Sequence, residues 1–163
     1  MSELASKVIR TLTERSLSLA AAESLTGGLL GATLTDVPGA SQVYVGGTIA
    51  YATPMKTALL GIDPHVIAQH TVVSEQVALE MAIGLQQRTG ADWVIAVTGV
   101  AGPDPQQGHA PGEVWVCVAG PRVPNTPQFQ QTERFQFEGD RDAVRRQTID
   151  AAFGMLLRAA SPV

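Results

Sequence analysis

The sequence predicts an α/β protein: a three-layer α/β/α sandwich around a mixed, mostly parallel sheet, in a single domain. Three observations carry that prediction. Short apolar runs rich in β-formers alternate with segments of helical period. Aromatic residues are only 5%, so small aliphatics and glycine must fill a core of tightly stacked layers. The chain has 163 residues, 45% hydrophobic and 16% charged, which suits one folded domain and excludes a disordered or fibrous chain.

The elements follow in order. Leu4, Val8, Ile9 and Leu12 sit at helical spacing within residues 3–15, an amphipathic opening helix. Leu17 to Ala22 reads as a short buried strand and runs into Glu23-Ser24-Leu25-Thr26-Gly27-Gly28. A second helix continues through Leu34, and Pro38-Gly39 then marks a loop ending at Ser41. Val43 to Tyr51 reads as a strand. Thr53-Pro54 starts a helix that carries Lys56 and stops near Gly61, and Asp63-Pro64 starts another short one. Ser74-Glu75 caps a long helix with Val77, Met81 and Leu85 in its stripe, ending at Gly90. Trp93 to Val97 is nearly all apolar, as expected of a strand covered on both faces. Thr98-Gly99-Val100-Ala101-Gly102-Pro103 follows, and the polar, Pro/Gly-rich stretch Asp104 to Pro111 reads as a mobile loop. Val114 to Val118 and Glu133 to Phe137 are expected to pair as a hairpin, and Gly139-Asp140 opens a last helix to about Ala159. The order is α β α β α α α β β β α, one domain over residues 1–163 with its core at about 5–159 and with no repeat or linker.

Charge narrows the function classes. The net charge is −4, with five basic and ten acidic residues up to Gly120 and six and five after it. Neither half offers the basic face that nucleic-acid binding needs. Cys117 lies within Val114-Trp115-Val116-Cys117-Val118 and reads as a buried, inert thiol. His65, His70 and His109 show no ligand spacing with it, so no metal site is expected. The chain begins Met-Ser-Glu-Leu without a basic and then apolar leader, and no apolar run reaches the ~18 residues of a membrane span. The expectation is a soluble cytoplasmic protein.

Three clues point to chemistry. Ligands on open α/β sheets bind beyond the carboxyl ends of parallel strands, where Ser24 to Gly28 and Thr98 to Gly102 fall. Ser24 sits at a sharp turn into a helix and reads either as an aimed nucleophile or, with Thr26, as a helix cap. Free amides at Thr26, Gly27 and Gly28 would attract an anion. The chain has nine arginines but two lysines, and Lys56 is the one not on a plainly polar helix face. A desolvated lysine can act as a base where arginine cannot, although a surface lysine fits the pattern equally. Arg141 and Arg145 continue the face of Ile149, Ala152 and Leu156, which suits either a guanidinium reaching a phosphate or carboxylate, or an ordinary salt bridge.

These motifs resemble the CinA C-terminal domain family. The resemblance rests on Ala22-Glu23-Ser24-Leu25-Thr26-Gly27-Gly28, Pro38-Gly39-Ala40-Ser41, Tyr51 with Lys56, Leu60-Gly61, His70 to Ser74, Thr98 to Pro103, and Gly139-Asp140-Arg141 with Arg145. They run in order over about residues 5–158. The family includes stand-alone nicotinamide mononucleotide deamidases of the PncC type. The resemblance implies hydrolysis of the carboxamide of nicotinamide mononucleotide to nicotinate mononucleotide and ammonia, through a Ser/Lys pair, without metal or other cofactor. Carried over, Ser24 and Lys56 are the catalytic pair and Tyr51 a proton relay. Thr26, Gly27, Gly28, Ser41, Thr98, Gly99, Arg141 and Arg145 are substrate-binding candidates. Ser41 is the alternative nucleophile, and Thr98 or the amides of Thr26 to Gly28 are the oxyanion donors. The partners implied are a small nucleotide and further copies of the chain, a dimer or higher. Leu25 replaces the cysteine usual after the serine, the loop after Pro103 departs from the common pattern, and the resemblance does not extend to the N-terminal domain of full-length CinA, so no activity of that domain is expected here. The alternative reading is a catalytically silent nucleotide-binding protein of the same fold, associated with competence or damage responses. A phosphoesterase on the same pocket would lack its usual metal-binding carboxylates.

Overall fold

The computed structural model describes residues 1–161. The element order matches the predicted one: α1 (Glu3–Glu14), β1 (Leu19–Glu23), α2 (Leu29–Thr35), β2 (Tyr44–Ile49), α3 (Thr53–Leu60), α4 (Pro64–His70), α5 (Glu75–Thr89), β3 (Trp93–Gly99), β4 (Glu113–Ala119), β5 (Gln130–Gln136) and α6 (Arg141–Ala160). A 3-10 turn at Ala40–Gln42 precedes β2.

Local chemistry sets the boundaries. Ser2, Asp63, Ser74 and Asp140 each cap a helix by accepting from a backbone amide of its first turn. Pro54 and Pro64 sit in first turns, where the missing N–H leaves no bond unmade.

The five strands lie in the order β2-β1-β3-β4-β5. The first three neighbours are parallel, and β4 and β5 are each antiparallel to the strand before. Four of the five strands therefore run the same way. The β4–β5 hairpin is the one expected, but β4 runs one residue further at each end, and β5 starts three residues earlier and ends one earlier, with Glu113 opposite Gln136.

One face of the sheet packs a core containing Val8, Leu12, Ala21, Leu30, Ile95, Phe153 and Leu156, from α1, α2 and α6. The other packs Ala20, Ala22, Leu60, Val77, Met81, Leu85 and Cys117, from α3 and α5. Burial pushes the Cys117 thiol up to about 11, as expected of an inert cysteine. β1 connects through α2 on the first face to β2, and β2 crosses over through α3–α5 on the second face to β3. The chain thus reverses direction across β1, and a crevice opens beyond the carboxyl ends of β1 and β3.

Gly84 in α5 lies against α3, and a Cβ there would run into the Leu60 carbonyl oxygen. Alanine ordinarily stabilises a helix interior by ~1 kcal/mol over glycine. Here the clash reverses that sign. Gly84→Ala should lower unfolding free energy in urea by about 1–3 kcal/mol.

Candidate active site

The crevice is a cavity of about 330 Å³, lined by the ends of three parallel strands and the loops behind them. Ser24 follows β1, Tyr51 follows β2, and Thr98 to Pro103 end and follow β3. Lys56 enters from α3, Arg141 from the start of α6, and Val72 and Val73 from the segment between α4 and α5.

At its floor Lys56 meets Ser24. The Lys56 Nζ lies 2.9 Å from Ser24 Oγ, 2.8 Å from the Ala50 carbonyl and 3.4 Å from the Tyr51 carbonyl. Lys56 is 2% exposed and Ser24 7%. Burial pulls the Lys56 amine down to about 8. The three acceptors match the three N–H groups of the ammonium, and loss of the proton aimed at Ser24 Oγ leaves a lone pair that can accept the Ser24 hydroxyl proton. Such an arrangement can raise the nucleophilicity of a serine.

Other expected residues fall differently. Gly27 and Gly28 do form the turn, with φ of 56° and 103°. Their amides are already used, however. Gly27 N–H donates to the Ser24 carbonyl, and Gly28 N–H donates to the Glu23 carboxylate. Glu23 also accepts from Leu30 and Gly31. The helix start is therefore filled by a side chain of the protein itself and offers no site for a substrate anion. Sequence reading missed this role, although an acid placed just before a helix start was its visible signal.

The Thr98 hydroxyl donates to the Val72 carbonyl at 2.8 Å, so its proton is not available to an oxyanion. Thr26 is fully buried and does not line the cavity. The amides of Leu25 and Thr26 have no acceptor among the described residues, and Leu25 lines the cavity. Arg145 donates from Nε to the Leu25 carbonyl at 3.2 Å and from Nη2 to the Thr26 carbonyl at 2.8 Å. It pins the turn after Ser24 and does not line the cavity, whereas Arg141 lines it with no ion pair or hydrogen bond among the described residues. Tyr51 is exposed at the mouth, with its backbone carbonyl on Lys56. Gly99 lines the wall.

Ser41 is a correction. It lies in the 3-10 turn before β2, at the amino end of a strand whose carboxyl end meets the cavity. It is exposed, and it is not among the residues lining the crevice in this chain. The stretch Asp104 to Pro111 is the loop expected between β3 and β4, and within it Gln106 and His109 exchange backbone hydrogen bonds of 3.0 and 2.8 Å. No helix among the described residues is long and apolar enough to cross a membrane.

These features define an α/β protein whose sheet-end cleft holds a buried serine–lysine pair. The model of the CinA C-terminal domain matches residues 1–160, and the chain belongs to that family. A CinA-like protein of Frankia casuarinae is 40% identical over 93% of this chain, and one of Chlorobaculum tepidum is 43% identical over 93%. The chain spans about a third of the length of these relatives. Among solved structures, a CinA superfamily protein from Klebsiella pneumoniae superposes with a TM-score of 0.91 at 32% identity, over 97% of this chain and 96% of that one. A competence/damage inducible protein from Agrobacterium tumefaciens gives 0.90 at 30%, over 98% and 94%.

The Lys56 amine titrates at about 8 when folded, below its ordinary value of 10.5, so the unfolded chain binds more protons between those values. Stability from this group is therefore lowest below pH 8 and rises through the window. Relative to Lys56→Met, the wild type should gain about 3 kcal/mol between pH 7 and 10.5, read from urea unfolding at each pH.

Proposed function

We propose that the chain is an amidohydrolase that converts nicotinamide mononucleotide to nicotinate mononucleotide and ammonia. The observation that carries this reading is the 2.9 Å contact between a buried lysine amine and the Ser24 hydroxyl, at the end of β1. In this reading neutral Lys56 takes the Ser24 proton as Oγ attacks the carboxamide carbon. The resulting oxyanion falls to the unpaired amide of Leu25, the cavity-lining position that follows the nucleophile on the turn. Lys56 returns the proton to the departing ammonia, with Tyr51 at the mouth as the candidate relay, and water then hydrolyses the acyl-enzyme. Arg141, uncommitted on the cavity wall, is the group for the substrate phosphate, and Arg145 is a positioning residue that holds the turn after Ser24 through its carbonyls. The reaction needs no cofactor.

Self-association fits the surface. β2 is an edge strand with Val45 and Ile49 exposed, and Met55 and Leu59 of α3 are exposed nearby in the chain. A homo-oligomer that covers this apolar edge is the proposed state, in the cytoplasm, with a small nucleotide as the other partner.

Purified protein should release ammonia from nicotinamide mononucleotide, and from neither nicotinamide nor the riboside at comparable rates. Ser24→Ala should lower kcat at least about 10³-fold with the fold intact by circular dichroism. Binding without ammonia would leave a silent nucleotide-binding protein instead.

With a base near 8, about a tenth of Lys56 is neutral at pH 7. The rate constant kcat/KM should rise nearly tenfold per pH unit below 8 and level off above it. Lys56→Arg, charged at every pH, should lose at least about 10²-fold and the pH rise with it.

A further inference from the structure

The charged groups that line the cleft are Lys56, Arg141 and Asp104. Lys56 works as a neutral base and Arg141 faces the phosphate. Asp104 is the one carboxylate of the lining, and it has no ion pair or hydrogen bond among the described residues. A carboxylate left unpaired on a ligand-binding wall discriminates by charge: it attracts a cation and repels an anion.

Asp104 is exposed, and an exposed carboxylate on a free loop would be a weak reader. This loop is not free. His109 Nδ1 lies 2.8 Å from Glu113 Oε2, and His109 Nε2 lies 2.7 Å from Thr71 Oγ1. Glu113 Oε1 accepts from Arg134 Nε at 3.1 Å, and Gln107 Oε1 accepts from the Val72 amide at 3.1 Å. Burial alone would raise the Glu113 carboxyl, but the hydrogen bonds from Arg134 and His109 outweigh it and hold the group below its usual range. Thr71 has φ of 65° and ψ of 163°, a region that glycine favours and a β-branched residue pays to occupy. Its hydroxyl is what the position requires. The Thr71 hydroxyl also lies 3.3 Å from the Val73 carbonyl. The latch joins two walls of the cleft, because Val72 and Val73 line it from one side and Gly102 to Gln106 from the other.

We infer that Asp104 reads the positive charge of an N-substituted pyridinium carboxamide, and that Thr71, His109 and Glu113 are positioning residues that hold it at the cleft. The inference rests on the amidohydrolase reading of Ser24 and Lys56. It narrows the substrate class to a ligand with a cationic ring and an anionic phosphate.

The test uses Ser24→Ala protein, which cannot turn over, and calorimetric titration with two ligands. One is nicotinamide mononucleotide. The other is its uncharged isostere, in which a benzamide ring replaces the pyridinium on the same ribose phosphate. Nicotinamide mononucleotide should bind the more tightly. Asp104→Asn in that background should weaken it about three- to fivefold and leave the isostere unchanged. Thr71→Val should lose the same discrimination, and Thr71→Ser should keep it. Equal weakening of both ligands by Asp104→Asn, or of neither, overturns the charge-reading role and leaves the amidohydrolase reading standing. Failure of folded Ser24→Ala protein to bind either ligand overturns both.

Discussion

A buried amine held by carbonyls and not by a carboxylate is the constraint on which the cleft depends. An acid beside Lys56 would favour its charged form and remove the base. Glu23, the residue next to Ser24, points to the opposite face of the sheet, as alternation along β1 requires, and its carboxylate accepts from the amides of Gly28, Leu30 and Gly31. No carboxylate among the described residues bonds the Lys56 amine. The Ala50 and Tyr51 carbonyls solvate the amine without adding the negative charge that would hold its proton.

The layered architecture is what brings these groups together. Ser24 ends a strand whose preceding residues, Ala20, Ala21 and Ala22, are all fully buried and thin enough for helices to approach on both faces. Lys56 comes from one layer, through α3 pressed against Gly84 of α5. Arg145 comes from the other layer and fastens the turn after Ser24 by its carbonyls. A three-layer sandwich lets both helical layers act on one strand end without either crossing the sheet.

Much of this was legible in the chain because its signals are local. Asp and Ser caps, first-turn prolines and the apolar run at Trp93 set the element order within a few residues. The strand-end positions of Ser24 and Thr98 also followed from local pattern. Partnership was not legible. Arg145 meets carbonyls 119 and 120 residues away, and the Thr98 hydroxyl meets a carbonyl 26 residues away, so their roles depend on the path of the whole chain. The family resemblance made Ser41 a candidate, but strand direction puts it at the other end of β2. The loop after Pro103 looked mobile by composition, and composition does not reveal that His109 finds Thr71 and Glu113 together.

The base and the ligand charge are not independent. A cation placed beside Lys56 raises the free energy of the ammonium and favours the neutral amine, in the same direction as burial. A ring cation held by Asp104 would therefore help to create the base that attacks its own carboxamide through Ser24. A neutral ring would fill the same space and leave Lys56 more fully charged. Asp104 lines the same cleft on a latched loop and is not one of the groups bonded to Lys56. Separating the carboxylate that reads charge from the amine that moves the proton is what allows one small cleft to use both.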